Sequence, residues 1–377
     1  MQLKGCGRKS VLDELKARSL QNQRYSSGRI LCSMCTQPHS IAKKAYDLFF
    51  ETNLGDQGLF PAVAQLEKEV IAQLSDLLNG KGICGFIVSG GTEANLLALL
   101  IAKNTAKKPA PEVVLPASAH FSFTKICRLL NLKPIYAPLD SAYRVDIKAV
   151  EGLISENTVA LVGTAGTAEL GVVDSIEALS DIAVAHGLHL HVDAAFGGLV
   201  LPFLPNAIYP FDFRLEGVKS VTVDPHKMGM AAIPAGGILF RNPEMLEALK
   251  TETPYLNDQA NYTFVGTRSG ASAASAWAVF RLLGREGFQQ IVAECMRNTA
   301  YLADGLRKAG FSLVCEPTVN VVAFQSKNTK LTAQRLWKRG WFVSYIPRYD
   351  CIRVVVMPHV KRRHAQAFLS ELTTEKL

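Results

Sequence analysis

Between residues 61 and 250 short, continuously apolar runs alternate with stretches whose apolar positions recur every three or four residues. PAVAQLEKEVIAQLSDLLN (61–79) has the helical period, FIVSGG (86–91) reads as a strand, and TEANLLALLIAKN (92–104) is helical again. The alternation continues through EVVLPAS, FTKICRLLN, KPIYAP, DIKAVEGLISEN, TVALVGTAG, SIEALSDIAVAHG, HLHVDAA, SVTVDPHK and GGILFR. Strands this uniformly apolar, separated by helices, predict an α/β fold with a mostly parallel sheet covered on both faces. An Ala-rich helical stretch follows over 269–309, with breaks expected near Gly284 and Gly287. FSLVCEP, NVVAFQS, a helix around Leu336, WFVSYIP, CIRVVVMPH and a last helix then make a smaller α/β unit. The expected division is an N-terminal helical and extended segment (1–60), a large domain (61–290) and a small C-terminal domain (291–377). Near the start, Ser10–Gln21 has the pattern of a short amphipathic helix that Ser10 could cap.

A chain of 377 residues can bury a sizeable site between two such units. Its net charge of +8 is scattered, and the densest basic cluster, Lys361, Arg362 and Arg363, opens the last helix, so no nucleic-acid partner is implied. The eight cysteines sit mostly in apolar runs. Only Cys32 and Cys35 form a CxxC, without the second pair that a zinc site needs, so a structural use and no metal are expected. No apolar run approaches the ~18 residues of a membrane span. With no signal-type core near the start, a cytoplasmic protein with no membrane partner is expected.

In a covered parallel sheet, ligands bind outside the carboxyl ends of the strands. Four of these ends carry unusual residues: Ser89-Gly90-Gly91-Thr92 before a strong helix, His120 after LPASA, Asp193 in HVDAAFGG, and Lys227 in DPHK. Small residues running into a helix make a plausible phosphate cradle, although a tight turn explains SGGT taken alone. The GxGxxG over Gly80–Gly85 follows a helix and opens a strand, the reverse of a dinucleotide fingerprint, and is rejected as one. Individually, His120 could start a helix, Asp193 could cap a turn, and Lys227 could be the first solvated residue after a strand. Together a phosphate cradle, a flat imidazole, a carboxylate and a lysine are the parts that hold a phosphorylated aromatic aldehyde.

SGGTEAN, SAHFSFTK, HVDAAFGG, DPHK and GTRSG, in this order, resemble the group II pyridoxal-phosphate decarboxylases of fold type I. Among these the chain is most similar to the archaeal tyrosine/aspartate decarboxylases linked to methanofuran or coenzyme A synthesis. The likeness extends through LCSMCTQPH, NLGDQGLFP and CIRVVVMPH. It implies the fold-type-I transferase-like sheet of seven mostly parallel strands with a smaller C-terminal domain, and a homodimer with shared active sites. It implies that Lys227 binds pyridoxal 5′-phosphate covalently, with its amine kept neutral by the apolar strand end. Asp193 would face the ring nitrogen, His120 and Ala195 would flank the ring, and Gly91, Thr92 and His226 would serve the phosphate. Arg268 of GTRSG would reach a cofactor bound mainly by the other subunit. For the amino-acid substrate the candidates are Arg353 at the carboxylate, unless it is a surface arginine of a strand edge, and a slot from His39, Leu59 and Phe60. That slot places L-tyrosine ahead of L-aspartate. Tyr262 or Tyr255, in the loop 253–270, would supply the proton to Cα. Ala168 after Thr167 stands where relatives carry a second threonine, which removes a hydroxyl role there. Glutamate decarboxylase, aminotransferase, phosphoaldehyde lyase and a cofactor-binding protein without turnover are the alternative readings.

Overall fold

The computed structural model describes residues 4–205, 209–257 and 260–374. Helix α1 (Arg8–Ser19) begins after Gly7, so Ser10 lies inside its first turn instead of capping it. The α1 helix buries no side chain. Helix α2 (Ser40–Leu48) is capped by the His39 imidazole, and α3 (Pro61–Leu77) opens on a proline, whose missing N–H costs nothing there.

The large sheet is built from β1 (Cys84–Val88), α4 (Gly91–Ala106), β2 (Glu112–Pro116), α5 (Ser122–Leu130), β3 (Lys133–Ala137), α6 (Ile147–Leu153), β4 (Thr158–Thr164), α7 (Ile176–His186), β5 (His189–Asp193), β6 (Val218–Val223) and β7 (Gly236–Phe240). Its seven strands run in the order β1-β7-β6-β5-β4-β2-β3. Strands β2 to β6 pair in parallel, whereas β7 is antiparallel to both β1 and β6. Every residue of β2, β4 and β7 is buried, as their unbroken apolar runs require. One apolar layer joins Leu161, Leu190 and Val221 to Leu74 and Leu179 of α3 and α7. The opposite layer joins Val113, Val162 and Ile238 to Leu97 of α4 and Phe123 of α5. Each such side chain gains about 1.5–3 kcal/mol from burial, and the two layers fix the strand ends relative to one another.

A two-stranded ribbon pairs β8 (Thr251–Glu252), just ahead of the expected loop 253–270, with β9 (Ala260–Asn261) inside it. Helix α8 (Gly270–Lys308) is broken at Gly284 alone, where φ of 56° favours glycine, and not at Gly287. Beyond it β10 (Ser312–Leu313), β11 (Val321–Gln325), α9 (Thr329–Lys338), β12 (Ser344–Ile346), β13 (Cys351–Val355) and α10 (Arg362–Thr374) form the smaller unit. Its four strands are antiparallel in the order β10-β11-β13-β12. An N-terminal strap joins this sheet: Leu31 N–H donates to Phe342 O at 2.8 Å, and Val355 N–H donates to Leu31 O at 2.8 Å. The Leu31 side chain packs in the same apolar cluster as Val354 and Phe368. Cys32, Cys35, Cys84, Cys127, Cys295, Cys315 and Cys351 are free thiols. Among the described residues no helix is long and apolar enough to cross a membrane.

Candidate active site at the carboxyl ends of the strands

The ends of β1, β2, β5 and β6 meet around a cavity of about 290 Å³ lined by Gly91, Thr92, His120, Asp193, Ala195, His226 and Lys227. One wall is the first turn of α4. Gly90 at its N-cap has no side chain to satisfy the opening N–H groups, which leaves them for an anion. The turn fits because its neighbours are small: a Cβ on Gly236 would lie 2.4 Å from Gly90 Cα, and one on Gly91 would lie 3.0 Å from Asp224 Oδ2.

Lys227 follows β6 in a tight turn in which its N–H donates to Asp224 O at 3.0 Å. Its Nζ lies 3.0 Å from Asp224 Oδ2. Burial pulls the ammonium toward neutrality, but Asp224 and then Asp193 oppose it, and the net shift is upward. This reverses the expectation of a lowered amine: the strand end is apolar, yet it places two carboxylates near the lysine. Asp224 is 2 % exposed, and its Oδ1 has no hydrogen-bond partner. His226 Nε2 is 3.7 Å from Asp224 Oδ2, and its Nδ1 accepts from Ala235 N–H at 3.1 Å.

Asp193 ends β5 with both oxygens engaged, Oδ2 by Asn95 Nδ2 at 2.9 Å and Oδ1 by Ala195 N–H at 3.1 Å. His120 Nδ1 accepts from Ser122 N–H at 3.3 Å, which leaves the ring proton on Nε2. Burial is the largest influence on His120 and on His226 and lowers both, so neither is charged near neutral pH.

Other sequence candidates lie elsewhere. Arg353 on β13 donates to the carbonyls of Ala168 and Cys32 and to Ser344 Oγ, with its Nε buried and unpartnered. It is therefore a partly buried group bonded to Ala168, which itself lines the cavity, and not a surface arginine. Arg268 does not face the cavity: it is 7 % exposed and bound to the Glu67 carboxylate, to Ile87 O at 2.8 Å and to Leu54 O at 3.3 Å. A buried guanidinium needs an anion, and here the anion is Glu67 rather than a phosphate of the same chain. The His39 imidazole caps α2, its Nδ1 accepting from Ile41 N–H at 3.2 Å, and its backbone N–H donates to Met230 O at 2.9 Å. Leu59 is 64 % exposed, and Phe60 packs against the main apolar cluster, so no aromatic slot from these residues borders the cavity. Tyr262 stacks on Phe86 at 6.4 Å and lines a different, larger cavity of about 1140 Å³ beside β1, together with Glu67 and Arg268. Tyr255 is 86 % exposed.

Sequence reasoning missed Asp224, Asn95, Thr164 and Met34, all of which line the cavity. A signal for the first two was present. HLHVD and SVTVD alternate polar and apolar residues inside a sheet covered on both faces, where a polar face needs polar company. Met34 comes from the LCSMC segment, read for its cysteines and as part of the family likeness but not as a lining of the site.

Asp224 Oδ1 and Thr164 Oγ1 are buried, partnerless and on the cavity wall. With a lysine amine, a helix N-terminus and a second carboxylate, the donor set suits a molecule bearing an aldehyde, a phosphate and a basic ring nitrogen. The comparisons agree. Residues 42–327 match the pyridoxal-dependent decarboxylase conserved domain. A protein of Methanothermobacter thermautotrophicus named probable L-tyrosine/L-aspartate decarboxylase is 49 % identical, over 92 % of this chain and 97 % of its own length. One of Archaeoglobus fulgidus named probable L-aspartate decarboxylase is 47 % identical over 96 % and 98 %. The solved sphingosine-1-phosphate lyase of Burkholderia pseudomallei superposes with a TM-score of 0.92 at 28 % identity, covering 99 % of this chain and 91 % of that one.

Proposed function

The chain belongs to the pyridoxal-dependent decarboxylases, and from that membership we propose that it releases CO2 from L-tyrosine and L-aspartate at the cavity around Lys227. It is a carboxy-lyase of fold type I that uses pyridoxal 5′-phosphate and takes a small-molecule amino acid. The observation that carries the site assignment is the convergence of Lys227, Asp193, His120 and the opening turn of α4 on one cavity. In this reading Lys227 holds the cofactor through Nζ, and Gly91 and Thr92 hold the phosphate at the α4 N-terminus. Asp193 meets the ring nitrogen, and His120 and Ala195 bracket the ring. Bound there, the cofactor supplies an electron sink for the charge left on Cα when the carboxylate departs. Asp224 holds the lysine ammonium in place and His226 shapes the turn. A neutral His120, with its proton on Nε2, presents a flat uncharged face. Arg353 orients the cavity wall through Ala168, and Tyr255 or Tyr262 delivers the proton to Cα.

The reading includes a homodimer with shared sites. Its support is the apolar surface left bare in one chain: Phe50, Leu59, Tyr255 and Phe264 are each more than half exposed. The domain division at 61–290 and 291–377 belongs to the proposal too, supported by the separate four-stranded sheet and its own apolar cluster. Products would be tyramine or β-alanine, which suits a role in methanofuran or coenzyme A synthesis. Measured kcat/KM for tyrosine, phenylalanine, aspartate and glutamate tests the substrate. Turnover of tyrosine and aspartate well above the other two is expected; CO2 from neither overturns the assignment. The ratio between tyrosine and aspartate sets their order, since the slot that placed tyrosine first does not border the cavity.

A further inference from the structure

Behind Asp193 lies a buried polar line that the proposed chemistry leaves unexplained. Asn95, His191, Thr222 and Ser220 are all at most 1 % exposed. The register of two parallel strands brings them together, since His191 pairs with Ser220 and Asp193 with Thr222. Alternate residues of a strand share a face, so His189, His191 and Asp193 lie on one face of β5, with Ser220 and Thr222 beside them on β6. Asn95 comes down on that face from the second turn of α4.

The bonds have one direction. Asn95 Nδ2 donates to Asp193 Oδ2 at 2.9 Å, so its amide oxygen faces away from the carboxylate and takes Thr222 Oγ1 at 2.7 Å. His191 Nε2 lies 3.0 Å from the same oxygen. An amide oxygen only accepts, so His191 carries its proton on Nε2. Its bare Nδ1 then accepts from Ser220 Oγ at 2.8 Å, and Ser220 in turn accepts from His189 Nε2 at 2.7 Å. Every donor in the line from His189 to Asp193 points toward the carboxylate, and such aligned bonds polarise one another. Burial lowers His191 to about 4 and His189 to about 3, so the line stays neutral at working pH and its direction holds.

We propose that Ser220, His191 and Thr222 are positioning residues that act on Asp193 only through Asn95, fixing the amide so that the carboxylate faces the cofactor in one orientation. None of the three lines the cavity, and Ser220 stands three hydrogen bonds from Asp193. The inference rests on the proposed role of Asp193, and it extends that role to residues deep in the sheet.

The test uses Ser220→Ala, Thr222→Val and, as the conservative control, Ser220→Thr, each prepared as holoenzyme. Four quantities are measured: the equilibrium affinity for pyridoxal 5′-phosphate, the pH midpoint of the bound cofactor's visible absorption, kcat and KM separately, and the melting temperature. In Ser220→Ala and Thr222→Val we expect kcat to fall three- to tenfold with KM within twofold, and the absorption midpoint to move by at least 0.3 pH units. Ser220→Thr, which keeps the hydroxyl, restores both. Histidine ¹⁵N spectra of the wild type show His191 as the Nε2–H form; Ser220→Ala keeps that form, because the Asn95 oxygen still takes the Nε2 proton, but shifts the resonance of Nδ1, which loses its donor. Unchanged kcat and midpoint in both variants, whatever happens to the melting temperature, overturn the proposal, as does a His191 proton on Nδ1. If the wild type binds the cofactor but decarboxylates no amino acid, the functional reading fails instead. The spectral midpoint and the tautomer still decide the relay in that case.

Discussion

Lys227 and Asp224 form the closest charge pair in the cavity, and their chemistry can be separated by substitution. Lys227→Ala is expected to abolish covalent capture of the cofactor, and borohydride reduction with peptide mapping should label Lys227 in the wild type. Labelling of another lysine rules the assignment out. Because Asp224 is the main influence raising the amine, Asp224→Asn should leave capture intact but shift its pH dependence downward, since the neutral amine then appears at lower pH. A stopped-flow profile of capture rate that stays put, or moves upward, contradicts this. Lys227, Asp193 and His120 were legible in the sequence because each interrupts an apolar strand end. Asp224 was not, because in DPHK it reads as the first residue of a turn; only the fold shows it 2 % exposed against the lysine. Arg353 and Arg268 illustrate the converse. Their residue type suggested anion binding, but the anions or carbonyls they meet come from segments far away in the chain, which no local pattern encodes.

Among elements, β1, α3 and the segment before α8 are tied by one buried ion pair, Arg268 with Glu67. Glu67 also accepts from Ile87 N–H at 2.8 Å, so the carboxylate anchors the strand that leads into the cradle. Arg268→Met leaves that carboxylate buried and uncompensated, a loss of about 3–5 kcal/mol. Denaturant unfolding should show it, while the folded fraction still binds cofactor; a variant as stable as the wild type would mean that Arg268 serves something other than Glu67. Periodicity located the helices and strands of the large sheet, because covered strands are unbroken apolar runs. It could not find β8 and β9, two residues each, nor show that β7 runs antiparallel, since direction depends on connections rather than on composition. Nor could it foresee that the His39 imidazole would be spent on the α2 cap.

For the whole molecule, acid stability follows from groups that cannot take protons once folded. The unfolded histidines protonate near ~6.5, whereas buried His191 and part-buried His189 do so only at about 4 and about 3, so the unfolded state binds more protons below ~6.5. Stability is therefore lost as pH falls through that window. Buried Asp174, raised to about 6 from 3.8, works the other way, since its folded form takes a proton first and gains stability as pH drops from about 6 toward 4. Two histidines against one carboxyl leave a net loss on the order of 3 kcal/mol between pH 7 and 5. The melting temperature should drop by several degrees over that range, and a flat profile would contradict the burial of these rings. Assembly gives a second test at this scale. Mixing Lys227→Ala with Tyr255→Phe chains should restore activity in hybrid dimers if Tyr255 serves the partner's site; hybrids without recovery exclude it.

The strap through Leu31 carries a consequence in time. Its partners Phe342 and Val355 are made more than three hundred residues later, which at about 5–20 residues per second means roughly 15–60 s of synthesis. For that interval a stretch that ends as sheet edge and apolar core emerges early and waits without a template. Meanwhile the large sheet between them can close first. The segments at Phe342 and Val355 therefore complete a structure begun at Leu31, and a chain cut short before residue 342 loses both partners of the strap at once.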